Sequence, residues 1–207
     1  MIDVTNEIKK WDKEFLENEN KDILYEIAFF KIFVKFEVFV SKVFIKYASG
    51  EGSEEGYIVK RKLAFKDEKH LKVFLKDGNS SFVNYYDKIP KLSKYIFEDK
   101  KDPFWLIFSS GSYSSYLNQM KAIRNYIAHE SEESKKIYIE DVLRERSFVY
   151  PFEYLGKMNS KRGKTNYSIL VGNILEMMNL LSDPASFLGD EDIKVKEIIQ
   201  SKASSKV

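Results

Sequence analysis

Between Ile27 and Tyr47 the chain reads IAFFKIFVKFEVFVSKVFIKY, and this stretch limits the possible folds more than any other. It is long enough to cross a bilayer, but Lys31, Lys35, Glu37, Lys42 and Lys46 interrupt it, and charges at that density argue against a membrane span. Its Phe and β-branched content would also suit strands. The spacing of the charges decides between the two. At about 100° per residue, Lys31, Lys35, Lys42 and Lys46 fall on one narrow stripe, with Asp22, Glu26 and Glu37 gathered on the opposite side. Broad apolar flanks separate the two stripes. The pattern predicts one long helix from about Lys21 to Ala48, ended by Gly50, Gly52, Ser53 and Gly56.

A chain of 207 residues can bury a core of its own and is read as a single domain. With 43% hydrophobic residues, 16 Phe and 13 Tyr it is not a disordered sequence, and 32% charged residues leave a solvated surface. Cysteine is absent, which removes disulfides, thiolate nucleophiles and cysteine metal sites and agrees with a reducing cytoplasm. Two histidines and no acidic metal-loop pattern imply no metal or other cofactor. MIDVTNEIKKWDKEF has no apolar core run and does not read as a signal peptide, so the expected location is cytoplasmic, with no membrane partner. A net charge of +2 is too near neutral to indicate nucleic-acid binding, and any basic surface has to come from local clustering.

The remaining elements also read as helices. Asp3 or Thr5 can cap a first helix running to about Leu16, with Asn18 and Asn20 in a break behind it. Tyr57 to Phe65 suits a short strand or an extended connection, and Asp67 to Lys76 a short helix ended by Asp77-Gly78. Ser80-Ser81 can cap another, and Pro90 to Phe97 form one more. After Gly111-Ser112, the residues Tyr113, Tyr116, Leu117, Met120, Ile123 and Ile127 recur at three and four residues, as one face of an amphipathic helix requires. HESEESKKIYIEDVLRER reads as a charged connection with a short helix starting near Ile137. Thr165 or Asn166 caps a last strong helix whose apolar face holds Ile169, Leu170, Ile174, Met177, Met178 and Leu181, and a weak helix can follow Asp190. The fold class is therefore all-α, or mostly α.

Arg124-Asn125-Tyr126-Ile127-Ala128-His129 stands at the C-terminal end of the amphipathic helix. Histidine can accept and donate a proton near neutral pH. The planar fork of arginine binds phosphate oxygens and stabilises charge growing on a phosphorane. Together they are a minimal set for RNA cleavage, in which the ribose 2′-hydroxyl is the nucleophile and neither a metal nor a nucleophilic side chain is required. Asn125 and His129 are four residues apart and share a helix face, so the Asn amide is expected to orient the imidazole. Arg124 lies about 140° round the helix from His129, though Arg is long enough to bend toward a common cleft; one copy is a sparse site, which favours a homodimer with two copies around one phosphate. The competing reading of these residues is a helix C-terminus at which Arg and His complement the dipole.

RNYIAH followed by ES resembles the Arg-x4–6-His signature of the HEPN superfamily, including the Asn that many members place after the Arg. The setting is similar too: a long early helix, the motif at the end of a late helix, and another long helix behind it. The resemblance implies a HEPN-like bundle of four to five main helices across 1–207, with a small insertion at about 50–102 that can hold short strands. It also implies a homodimer acting as a metal-independent endoribonuclease on single-stranded RNA, with Arg124 and His129 as the catalytic pair and Asn125 as polar helper. Such domains occur in toxin–antitoxin, abortive-infection and antiviral defence systems, so an antitoxin or nucleotidyltransferase partner is a further expectation. The alternative within the same resemblance is a non-catalytic module that binds RNA, a nucleotide or a partner protein.

Lys157, Lys161, Arg162 and Lys164 cluster in a glycine-containing loop that can guide an RNA backbone or simply be exposed. Glu130, Glu132 and Glu133 read first as a solvated connection, and Glu26 and Glu37 as a second solvated stripe. His70 has no companions and reads as a surface residue, and most aromatics recur at helical spacing and are assigned to the core.

Overall fold

A computed structural model describes residues 1–19, 21–75, 85–98, 102–109 and 111–185, with the side chains of residues 68, 72, 74, 85–87, 111 and 112 excepted. Among the described residues the protein is mostly helical: α1 (Ile2–Glu17), α2 (Asp22–Ala48), α3 (Glu68–Leu75), α4 (Tyr85–Ile96), α5 (Pro103–Ser109), α6 (Gly111–His129), α7 (Glu132–Tyr138), α8 (Pro151–Gly156) and α9 (Asn166–Ser182). One π-helical turn, Ile139–Leu143, follows α7, and β1 (Met158–Asn159) pairs antiparallel with β2 (Lys164–Thr165). The chain divides into two compact units, 1–39 with 110–177 and 40–109 with 178–207, so the boundaries fall inside α2 and α9. No described helix is long and apolar enough to cross a membrane.

In the first unit, α2 is the central element. Ala28, Phe29, Ile32, Phe33 and Phe36 are fully buried along one of its flanks, and Phe33 packs its ring near those of Phe29 and Phe36. Val4, Ile8 and Trp11 bury the inner face of α1, and Lys35 Nζ meets Glu7 at 2.8 Å. Burial alone would raise the Glu7 carboxyl, but hydrogen bonds from Lys35 and Trp11 hold it below its ordinary value. Helix α1 begins at Ile2 behind Met1, with no side-chain cap. Asp3 and Thr5, the expected caps, instead lie inside it, because Thr5 Oγ1 hydrogen-bonds Met1 O four residues back, as Thr does within a helix.

In the second unit, the rings of Phe44, Phe97 and Phe104 meet at 5.1–5.9 Å around fully buried Tyr47. Arg61 Nη1 donates to Ala48 O at 2.9 Å and so caps the end of α2, and the guanidinium lies against Gly50, where φ is +92° and a Cβ would collide with it. Asp102 Oδ1 accepts from the N–H groups of Phe104 and Trp105 to start α5. Between 57 and 65 one isolated antiparallel bridge forms, Arg61 to Phe97, flanked by the bonds Lys62 N to Ile96 O at 2.7 Å and Glu98 N to Lys60 O at 3.0 Å. The described part of 50–102 therefore holds no named strand, and β1 and β2 lie at 158–165 instead. The helix stop at Asp77-Gly78, the Ser80-Ser81 cap and the tail beyond Asp190 lie outside the described residues.

Candidate functional site

Helix α6 forms because Leu117, Met120 and Ile123 give it a continuous buried face, and Ala122 is buried beside them. It stops where Glu130 turns left-handed at φ +47°, its N–H still bonded to Tyr126 O at 2.9 Å. Ser131 then opens α7, with Ser131 Oγ accepting from Ser134 N and Ser134 Oγ accepting from Ser131 N. His129 is thus the last residue of α6, exposed, and no hydrogen bond or ion pair joins its side chain to another described residue.

Arg124 is half-buried and held from two sides. Its Nη1 donates to Asn125 Oδ1 at 2.9 Å, and Nη2 lies 3.6 Å from Glu37 Oε2 on α2. Its Nε is buried and lacks a hydrogen-bond partner among the described residues. This overturns two expectations. Asn125 makes no side-chain hydrogen bond to His129 among the described residues; its oxygen instead accepts from the neighbouring guanidinium. Glu37 is not part of a solvated stripe, since its side chain is only 17% exposed and faces Arg124. Because α6 is one unbroken helix, the Arg124 and His129 side chains leave it about 140° apart.

Glu26, on the same acidic edge, accepts from Phe152 N at 3.0 Å. Burial raises its carboxyl above the ordinary range, the Phe152 N–H opposes this, and nearby Glu130 adds to the rise. Around it runs a ladder of rings assigned in the sequence only to a general core. Tyr126 stacks on Tyr138 at 5.2 Å and meets Phe148 at 5.9 Å, and Phe148 touches Tyr150, which stacks on Phe152. Tyr150 is 55% exposed, and Lys135 Nζ sits 5.1 Å from the centre of the Phe148 ring. The alternation Phe148-x-Tyr150-x-Phe152 leading into α8 was the available signal, hidden because the partners Tyr126 and Tyr138 come from two helices.

Lys157, Lys161, Arg162 and Lys164 are all exposed, on and beside the β1–β2 hairpin. Asn159 Oδ1 accepts from the N–H groups of Lys161 and Arg162, and Gly163 supplies the φ of +61° that closes the turn. The Arg162 guanidinium lies 5.8 Å from the Tyr116 ring, about two turns before Arg124 on α6. The hairpin therefore meets α6 away from its His129 end. His70 is likewise separate: it sits in the cap of α3, with its N–H on Asp67 Oδ1.

An open recess of about 320 Å³ is lined by Glu132, Lys135, Lys136, Ile139, Glu140 and Glu145, and it includes neither Arg124 nor His129. Among the described residues no group of three or more His, Cys, Asp or Glu side chains is arranged to hold a metal ion. No protein-family model matches the chain, and no curated protein or solved structure shows significant similarity to it.

Proposed function

We propose that this chain is a HEPN-like, metal-independent endoribonuclease of single-stranded RNA whose site is completed by a second copy. The observation that supports this reading best is the placement of Arg124: a half-buried guanidinium fixed by Glu37 and Asn125, on the helix that ends in exposed His129. A preorganised cation costs little reorganisation when charge develops on a phosphate, and an uncommitted imidazole is free to exchange protons. His129 takes the proton from the ribose 2′-hydroxyl, whose oxygen attacks phosphorus while Arg124 stabilises the equatorial oxygens. The bond to the 5′-oxygen breaks, that oxygen takes a proton from the imidazolium of the second copy, and a 2′,3′-cyclic phosphate remains. Lys157, Lys161, Arg162 and Lys164 would hold more distant phosphates. The defence or toxin–antitoxin setting, with an antitoxin or nucleotidyltransferase partner in a reducing cytoplasm, belongs to the same proposal.

A second reading rests on the same ion pair. Glu37 already compensates Arg124, and a neutralised guanidinium is a weaker phosphate ligand, as suits a module that binds without cutting. Incubating the protein with end-labelled single-stranded RNA in EDTA, beside Arg124→Ala and His129→Ala, separates the two. Cyclic-phosphate products lost in both variants support the nuclease. RNA bound but intact supports the binding module.

A further inference from the structure

The ring ladder of the first unit ends in a side chain that is held in place and yet left in water. Tyr150 is 55% exposed, but its ring stacks on Phe152 at 5.8 Å and meets Phe148 at 5.1 Å, and its N–H donates to Glu153 Oε2 at 2.8 Å. An aromatic fixed by three partners has already lost its freedom, so a ligand that covers it has little to order. The ladder also holds a cation from within the chain: Lys135 Nζ lies 5.1 Å from the centre of the Phe148 ring, the next rung.

Carboxylates gather at this end of the ladder without cations of their own. Glu26, Glu130, Glu132 and Glu153 form no ion pair among the described residues. Burial, then Glu130, Tyr150, Glu132 and Glu26, raise the Tyr126 hydroxyl above its ordinary value, so three of those carboxylates lie about the two tyrosines. Residues 130–153 carry seven acidic side chains and four basic ones, and two of the four are engaged, Lys135 on Phe148 and Lys136 at 4.0 Å from Glu140. Such a surface repels a phosphate backbone. Nor does it suit a metal, since no three His, Cys, Asp or Glu side chains among the described residues are arranged to hold one. A planar organic cation answers both features, because it lies flat on a tyrosine and donates to carboxylates in several directions. Arginine does this better than lysine, whose ammonium is compact and more strongly hydrated.

We infer that this face docks an arginine-bearing segment of a partner protein, with one guanidinium stacked on Tyr150 and hydrogen-bonded to Glu130 and Glu132. The open recess of about 320 Å³ continues the same surface, because Glu132 and Lys135 line it, and it adds Glu140 and Glu145 for a second basic side chain. Docking of this kind needs neither Arg124 nor His129, and so holds whether or not the chain cuts RNA.

Fluorescence anisotropy of a labelled peptide that alternates arginine with serine, titrated with the full chain at low salt, measures the docking. Tyr150→Ala should weaken binding about five-fold and Tyr150→Phe should leave it unchanged, since the ring and not the hydroxyl makes the contact. Glu130→Gln combined with Glu132→Gln should weaken it about ten-fold, and the same peptide with lysine for arginine should bind about three-fold more weakly. Glu51→Gln combined with Glu54→Gln removes two exposed carboxylates from the other unit and should change binding less than about two-fold. Circular dichroism checks that each variant keeps its helices. No binding by wild type, full binding by folded Tyr150→Ala, or an equal loss from the Glu51 and Glu54 pair would each overturn the proposal. So would binding of labelled oligouridylate that Tyr150→Ala abolishes, because the ring would then be a platform for bases.

Discussion

Asn125 Oδ1 accepts a hydrogen bond from Arg124 Nη1 at 2.9 Å, so the side chain that follows the arginine in sequence also steadies it in space. On the proposed nuclease reading, its effect on RNA cleavage should therefore run through Arg124. Asn125→Ala is expected to lower kcat for RNA cleavage roughly ten-fold, as loss of one orienting hydrogen bond does, against about a thousand-fold for Arg124→Ala. The double variant should be no worse than Arg124→Ala alone. Additive losses in that cycle would mean that Asn125 acts elsewhere.

Glu37 fixes the other side of the same guanidinium. Glu37→Ala leaves a half-buried cation without its carboxylate and is expected to cost about 1–2 kcal/mol of stability, below the value for a fully buried pair because Arg124 stays partly solvated. Urea denaturation measures it. Glu37→Ala combined with Arg124→Met, which removes the stranded charge, should recover most of the loss.

The long elements were legible in the sequence because their periodicity is strong. Lysines at helical spacing located α2 to within a residue, and the faces of α6 and α9 were clear. Periodicity shows which residues share a face, but not which face meets water, and so the acidic edge with Glu26 and Glu37 was assigned to solvent while part of the apolar flank is exposed instead. The short helix expected from Ile137 to Leu143 is there, but the helical run starts five residues earlier, at Glu132, and that start was missed for a different reason. Its Ser131–Ser134 capping box, with Glu132 and Glu133 in the first turn and Lys135 and Lys136 in the last, suits the helix dipole well, yet the same residues read as a charged connection. The hydrogen bond between Arg124 and Asn125 depends on side-chain torsions that spacing does not encode.

Glu26 gives the protein a stability term of defined sign. Burial raises its folded-state carboxyl above the unfolded value, so stability is full below the unfolded pKa and is lost as pH rises through the folded one. Glu26→Gln keeps an acceptor for Phe152 N and carries no charge to desolvate. It should melt at most about 2 °C above wild type at neutral pH, the gain vanishing below the ordinary carboxylate range. A gain that is larger at acidic pH would show the opposite sign.

Glu130 is the most informative single position, because it combines backbone strain with charge. At φ +47° it occupies the left-handed region, where a side chain is strained and glycine is not. Glu130→Gly should stabilise the C-terminus of α6 by about 0.5–1 kcal/mol, the relief of strain exceeding the extra freedom glycine gains when unfolded. The substitution also removes a carboxylate that pushes the Glu26 carboxyl upward, so the pH-dependent loss assigned to Glu26 should move toward lower pH. Denaturant midpoints measured across the acid range read both effects. Neutral Glu130→Gly stability with an unchanged pH profile would rule out both.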